Sequence, residues 1–238
     1  MSNPLIKLEN VSYKYPDTEL EENNFAVNNV SLEINKGEFV ERGLLVVFSG
    51  PSGSGKGTVL KEALKMSEDL KISVSVTTRK PRFGEQDGVD YIFYSKEQFE
   101  SLISEDGFLE WACFCENYYG TPKAQIETLL SQGKNVVLEI EVQGAMKIRE
   151  KCPEAVLIFN LPPSMEELKN RLIGRNTDAP EVIEKRLKTA VWEISQAEKY
   201  DYIVVNDEVN KAAETLLGVI ESEKHTSKRN KNLLATYK

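Results

Sequence analysis

The stretch LLVVFSGPSGSGKGT, residues 44–58, decides how the rest of the chain is read. Residues 44–48 form a short apolar run with adjacent valines, which has the length and branching of a buried strand. The run leads directly into Gly50, Pro51, Ser52, Gly53, Ser54, Gly55 and Lys56, and then into the helical pattern TVLKEALKM. Strand, GxxxxGK and helix in that order are what a phosphate-binding loop requires. Glycines let successive backbone N–H groups turn inward into an anion-binding nest, and the helix N-terminus adds its positive dipole end. Lys56 supplies a point charge for the terminal phosphates. Gly57 follows it, so the usual Ser/Thr ligand for magnesium is missing there and Thr58 comes one place later. The alternative, an ordinary glycine-rich βα turn, leaves the lysine and its spacing unexplained.

The whole chain sets limits on this reading. Its 238 residues suffice for one α/β domain with an extra segment and a sizeable core. Hydrophobic residues at 40% and charged ones at 29% are ordinary for a globular protein. A net charge of −8 argues against general polyanion or nucleic-acid binding, so a phosphate site must be a local concentration of cations. No run approaches the ~18 apolar residues of a membrane span, and the opening MSNPLIKLEN has no signal-peptide layout. Cys113, Cys115 and Cys152 cannot make a four-ligand zinc site unaided and read as reduced thiols in a cytoplasmic protein. The one histidine, His225, lies in a polar tail, which removes imidazole acid–base catalysis from consideration.

Residues 41–222 alternate between strand and helix, which implies a mostly parallel sheet covered on both faces. The pattern predicts a helix over 56–70, a strand over 72–77, a Pro/Gly loop over 79–88 and a short strand at 91–94. Ser95 with Gln98 forms a capping box before KEQFESLIS. A strand over 108–115 follows, then a helix whose cap reads as Thr121 with Pro122 at its first position, closed by Gly133. Buried strands are expected at 135–140 and 155–161. Ser164 with Glu167 caps a helix over 165–175, a charged loop covers 176–180, and a long helix covers 181–200. The last strand is 202–205 and the last helix 209–221. Residues 223–238 read as a solvated basic tail.

Residues 1–40 differ from the rest. Two alternating strands, in LIKLENVSYKYP and FAVNNVSLEI, flank an acidic, Asn-rich connection, and NKG makes a turn. The segment resembles the opening of an ATP-binding-cassette ATPase, and by that resemblance Tyr15 is an adenine-stacking residue. ERGLLVVFS stands between GEFV and the phosphate loop, and no LSGGQ-type signature follows. The preferred reading of Tyr15 is therefore a strand tyrosine with no ligand.

Loops reading GKGT are familiar from nucleoside-monophosphate kinases, where water fills part of the metal shell. SVSVTTRKPRFGEQDGVDY, EWACFCENYYGTPK and VVLEIEVQG sharpen this. Together with the loop, these elements resemble guanylate kinase from about residue 42 to about residue 221. The resemblance implies a P-loop α/β/α fold with a GMP-binding insertion at about 75–125 and a lid at about 171–186. It implies transfer of the ATP γ-phosphate to GMP, with dGMP as a further acceptor and Mg²⁺ as cofactor. Matched motif to motif, Arg79 and Arg82 grip the GMP phosphate and Tyr91 and Tyr119 donate to it. Ser75, Glu110, Thr121 and Glu141 line the guanine. Arg175 and Arg186 swing over the γ-phosphate with Arg171 nearby, and Asn206 reaches the adenine edge. The resemblance carries Mg²⁺ through ATP phosphates and water, with Thr58 or Glu139 as direct contacts. The family more often has two aspartates where this chain has Glu139 and Glu141, which leaves open which of them faces guanine and which the metal.

The residue types fit independently. Two arginines three apart in a Pro/Gly-bounded loop make a good clamp for a phosphate dianion. Guanine presents N1–H and an exocyclic NH₂, a donor pair that a carboxylate accepts and that adenine lacks. The acceptor phosphate has a second pKa of about 6, so it needs no general base at neutral pH. Two other readings compete: a catalytically inactive guanylate-kinase-like interaction module, and a fragment of a cassette ATPase. The intact loop and the lid arginines speak against the first, and the missing signature against the second.

Overall fold

The computed structural model describes residues 6–13, 27–34, 42–114, 116–174 and 179–231, so Tyr15, Cys115 and Arg175 lie outside the described residues. The chain divides into two units, Met1–Glu41 and Arg42–Lys238. In the first, β1 (Ile6–Tyr13) and β2 (Val27–Ile34) pair antiparallel, with Leu8 opposite Leu32 and Val11 opposite Val30. The register slips near Asn10, whose φ of 51° is left-handed and whose N–H donates to Ser31 Oγ at 3.0 Å.

The second unit begins with β3 (Leu45–Ser49), α1 (Lys56–Met66), β4 (Leu70–Ile72), β5 (Val76–Thr77) and β6 (Ile92–Phe93). Then come α2 (Lys96–Ser104), β7 (Phe108–Phe114), β8 (Asn117–Pro122), α3 (Lys123–Ser131) and β9 (Asn135–Glu139). The remainder is α4 (Val142–Lys151), β10 (Val156–Leu161), α5 (Met165–Gly174), α6 (Pro180–Ser195), β11 (Tyr202–Val205) and α7 (Val209–Lys224). Five strands form a wholly parallel sheet in the order β11-β10-β3-β9-β4. Strand β3 is central: the chain passes from it to the edge strand β4, returns inward to β9, and then crosses to β10 and β11 on the other side. The crevice at the carboxyl end of β3 is therefore the topological switch point, where doubly wound sheets bind ligands.

Strand alternation sorts the β3 side chains to the two faces. Val46 and Phe48 pack with Val59, Leu60 and Ala63 of α1 and with Ala213 and Leu216 of α7. Leu45 and Val47 pack with Ile126 and Leu130 of α3 and Ala145 and Ile148 of α4. Both faces are covered, so β3 is buried throughout and its sequence is a continuous apolar run instead of an alternating one.

A separate four-stranded sheet, β6-β5-β8-β7, carries the insertion. It is mixed, with β5–β6 parallel and β5–β8 and β7–β8 antiparallel. Phe99 of α2 stacks on Phe108 at 4.3 Å between ring centroids and closes a small core of its own with Val76. The predicted capping box is present: Gln98 N–H donates to Ser95 Oγ, and Ser95 N–H to Gln98 Oε1.

Several boundaries differ from the sequence reading, each for a tertiary reason. The first helix stops at Met66, because Ser67 is extended and fully buried Leu70 starts β4 against Asn135 of β9. The strand expected over 72–77 is two strands in two sheets. The chain leaves β9 after Ser73 N–H bonds Val137 O, and Val76 then pairs with Gly120. Thr121 is not a helix cap. Pro122 occupies that position with no side-chain bond, and the Thr121 hydroxyl goes across the hairpin instead. The helix expected over 181–200 ends at Ser195, with a 3-10 turn over Ala197–Lys199. The start of the basic tail is anchored. Helix α7 continues to Lys224, and Arg229 pairs with Glu223 at 3.3 Å and donates to Glu154 O at 2.7 Å.

Candidate active site

The loop after β3 is built as the glycine spacing predicts. Gly55, at φ 84° and ψ 24°, is the N-cap of α1, and a left-handed residue there favours glycine. A Cβ on Gly50, at φ 149°, would lie 2.3 Å from the carbonyl oxygen of Asn160. Lys56 bends back over the loop, donating from Nζ to Gly50 O at 2.6 Å and Pro51 O at 3.1 Å. Ser52, Gly57 and Thr58 are exposed, while Pro51, Gly53 and Ser54 are buried. The loop thus has an open side and a packed side, with Leu168 and Leu172 of α5 against Gly53.

The packed side is polar at one point. The Ser54 carbonyl accepts from Asn160 Nδ2 at 2.9 Å and Asn206 Nδ2 at 2.8 Å, with Arg171 NH1 at 3.5 Å. Arg171 is itself held by Glu167 at 2.8 Å and by Asn206 O at 3.0 Å. Arg171 and Asn206, both expected near the nucleotide, are thus together at the loop. Asn206 is buried, and its amide is already engaged there.

Three carboxylates flank the open side. A Cβ on Gly57 would lie 3.7 Å from both Glu139 oxygens, so this carboxylate sits directly across the turn from the missing Ser/Thr position. Glu139 opens to solvent on one side. The protein around its other sides raises its carboxyl, and the Lys56 charge partly offsets this. Glu193 of α6 is raised in the same way by burial, with the Lys56 charge and the Ser52 N–H opposing. Glu141, the N-cap residue of α4, is exposed, and its charge reaches both Glu110 and Glu193. Arg186 lies on α6, half-buried.

The second cluster rests on the insertion sheet. Register places Glu110 of β7 opposite Thr121 of β8, and cross-strand partners share a face. The Thr121 hydroxyl donates to Glu110 Oε1 at 2.7 Å. Burial pushes the Glu110 carboxyl up; the Thr121 bond and Lys147 oppose this, and Glu141 adds to it. Gly144 makes room, since a Cβ there would come within 3.5 Å of Glu110 Oε2. An open groove of about 440 Å³ runs from Glu110 past Trp111 and Cys113 to Lys147 and Lys151.

Arg79 is held more firmly than a phosphate clamp needs to be. Glu85 takes it in a two-pronged contact, NH1 to Oε2 and NH2 to Oε1, both at 2.9 Å. The same Glu85 accepts the Arg82 N–H at 2.7 Å, which ties both arginines to one carboxylate. The guanidinium lies 5.3 Å from the Tyr91 ring centroid, and Tyr91 meets Tyr119 edge-on at 6.2 Å. Arg82 is exposed, and Ser75 is half-buried at the start of β5.

A family model described as guanylate kinase matches residues 28–223. The chain belongs to the guanylate kinase family. The guanylate kinase of Clostridioides difficile (strain 630) is 54% identical over 196 residues, covering 82% of this chain and 96% of that relative. The one from Caldanaerobacter subterraneus subsp. tengcongensis is 52% identical over 193 residues, 81% of this chain and 94% of its own. Among solved structures, the guanylate kinase of Anaplasma phagocytophilum superposes with a TM-score of 0.63 at 36% identity, over 79% of this chain and 90% of that one. The guanylate kinase match starts at residue 28, inside the segment the sequence set apart, and no comparison bears on its cassette-like resemblance.

Sequence reasoning missed three side chains. Glu85 lay inside the quoted TTRKPRFGE motif, yet its role as the holder of both arginines depends on a loop shape that spacing does not give. Asn160 is a polar residue inside the apolar run VLIFNL, and that break was the available signal. Glu193 sits at ordinary helical spacing, and nothing in the sequence distinguishes it.

Proposed function

We propose that this chain transfers the γ-phosphate of ATP to GMP, giving ADP and GDP. The observation that carries the reading is the pairing, in one guanylate kinase chain, of a phosphate loop with its lysine and a largely buried carboxylate on a separate sheet. Glu110, already held by Thr121, matches the two donors on the guanine edge; adenine would leave it unpartnered, and such a mismatch rejects an analogue by ~10⁴ or more. Arg79, gripped by Glu85, and Arg82, whose backbone N–H Glu85 accepts, take the GMP phosphate with Tyr91 and Tyr119, and Ser75 borders the base. Glu141, whose charge reaches Glu110, serves the acceptor side in this reading, and Glu139, across from Gly57 and within reach of the Lys56 charge, serves the phosphate side.

The donor site is the loop from Gly50 to Thr58, with Lys56 turning from its own carbonyls to the terminal phosphates. Arg186 on α6 and Arg175 close over the transferring group; positive charge brought in this way contributes several powers of ten in rate. Asn206 serves the ATP site from behind the loop, where its Nδ2 holds the Ser54 carbonyl, and its Oδ1 is left for the adenine edge. The residues present fit a magnesium ion: the Glu139 carboxylate stands across from the open Cα of Gly57, and Thr58 is exposed beside it. When bound, Mg²⁺ neutralises phosphate charge there. dGMP is expected as a second acceptor, because the contacts assigned are to base and phosphate.

No helix among the described residues is long and apolar enough to cross a membrane. The cytoplasm, where ATP and GMP are made and used, is the compartment this reading assigns. Residues 1–40 supply no second nucleotide site in it. The test is ADP release across GMP, dGMP, AMP, CMP and UMP. GMP should be the preferred acceptor by orders of magnitude, and absence of turnover with GMP would leave the inactive interaction module standing.

A further inference from the structure

Asn160 is a puzzle on packing grounds. It lies fully buried in β10 between Phe159 and Leu161, and its Oδ1 has no partner among the described residues. An unpartnered buried amide oxygen is destabilising, and a leucine of similar size would avoid it. What the amide gains is on its other side, where Nδ2 donates to the carbonyl of Ser54 at 2.9 Å. The reverse orientation would set two oxygens face to face, so chemistry fixes which end of the amide meets the loop.

That carbonyl belongs to the peptide between Ser54 and Gly55. In a trans peptide the C=O and N–H lie in one plane and point to opposite sides of the C–N bond. With the carbonyl drawn inward by Asn160 and Asn206, the Gly55 N–H is turned outward at the N-terminus of α1. Gly55, in the left-handed region at φ 84°, is a loop position where the backbone can rotate, because glycine populates both signs of φ. Without donors behind it, this peptide has little else to hold its orientation. Asn160 also limits the loop at its other end, through the close approach of its backbone oxygen to Gly50.

We propose that Asn160 is a positioning residue for phosphoryl transfer: together with Asn206 it clamps the Ser54 carbonyl inward, so that the Gly55 N–H is presented to the phosphates of ATP. The inference rests on the donor-site assignment made above. It separates the two substrates, because Asn160 bonds the donor loop, whereas Glu110 and Thr121 of the acceptor site sit on the insertion sheet.

The test is Asn160→Leu, which keeps the branched outline at a somewhat larger volume and removes both the donor and the unpartnered oxygen. At saturating GMP, kcat/KM for ATP should fall by about tenfold to a hundredfold, the worth of one charge-assisted backbone contact. The KM for GMP should stay within twofold, ADP titrated without turnover should bind more weakly, and the melting temperature should hold or rise. A purely structural asparagine would show the opposite pattern: a lower melting temperature and no difference between ATP and GMP. Should the leucine variant fail to fold, Asn160→Ser removes the same donor with a smaller side chain and is read in the same way. ATP kinetics within twofold of the parent in the folded variant, or equal losses for ATP and GMP, would overturn the proposal. Absence of GMP turnover in the parent protein would instead sink the functional reading, so the two failures are told apart.

Discussion

Thr121 and Glu110 face each other across the β7–β8 hairpin, and the hydroxyl of one donates to the carboxylate of the other at 2.7 Å. The contact fixes one carboxylate oxygen, while burial raises the carboxyl's pKa. A carboxylate held in this way is suited to accept from a base that brings its own donors.

Glu110→Gln turns one acceptor into a donor that would face the guanine donors. The expected result is a fall in kcat/KM for GMP by ~10² or more, on the order of 3 kcal/mol, with AMP losing little or gaining. Steady-state kinetics with both acceptors decides it; equal losses would show that Glu110 supports the hairpin and does not read the base.

Replacing Lys56 by Ala removes a charge whose interaction strengthens as the phosphoryl group migrates. The fall in kcat should far exceed any change in GMP affinity. Turnover within tenfold of the parent protein would contradict the phosphate-loop assignment.

Glu85→Gln and Arg82→Lys probe the clamp from two sides. The first weakens the two-pronged hold on Arg79 and the bond to the Arg82 N–H. The second keeps charge but loses the planar fork. Both should raise the KM for GMP and leave the KM for ATP nearly unchanged; unchanged GMP kinetics in Arg82→Lys would make that exposed arginine a solvated surface charge.

Burial raises the Glu193 carboxyl above its usual value, so the folded state holds this proton more tightly than the unfolded chain does. The stabilisation from that proton is fully present below the unfolded pKa, near 4.5, and is lost as pH rises through the folded value. Glu193→Gln should therefore raise the melting temperature more at pH 8 than at pH 4.5. A difference that shrinks with rising pH would show the carboxylate to be stabilising where it stands.

The sequence disclosed what depends on local order. The phosphate loop, the Ser95–Gln98 capping box and β11 were readable because each is written in consecutive residues. Apolar runs also marked β3, β9 and β10, since both faces of that sheet are covered. The split of 72–77 into two sheets was not readable, because hydrophobic spacing records burial and not which neighbour does the burying. Thr121 shows the same limit. A Thr-Pro pair before a helix has the form of a cap, and only the hairpin register reveals that its hydroxyl is used by Glu110. The assignment proposed for Glu139 likewise draws on Gly57 and Lys56, which the fold, and not the sequence, brings to its side.

The last prediction concerns the first unit. Residues 6–13 and 27–34 form a two-stranded antiparallel pair, and a pair of that kind is marginal when isolated. The second unit secures its own beginning: Gly43 N–H donates to Leu130 O at 2.9 Å, and Arg42 pairs with Glu127 at 2.6 Å. Both of those bonds survive if the chain is made to start at Glu41. The guanylate kinase match nevertheless begins at residue 28, so the two boundaries make different demands. If the phosphate loop and the acceptor sheet need only the second unit, a protein starting at Glu41 should melt cooperatively and keep GMP kinase activity within a few-fold. Tyr15→Ala in the full chain should leave the KM for ATP unchanged. Loss of folding in the shortened protein would make residues 28–40 an integral part of the domain, and a raised ATP KM in the tyrosine variant would make the cassette-like stacking role real.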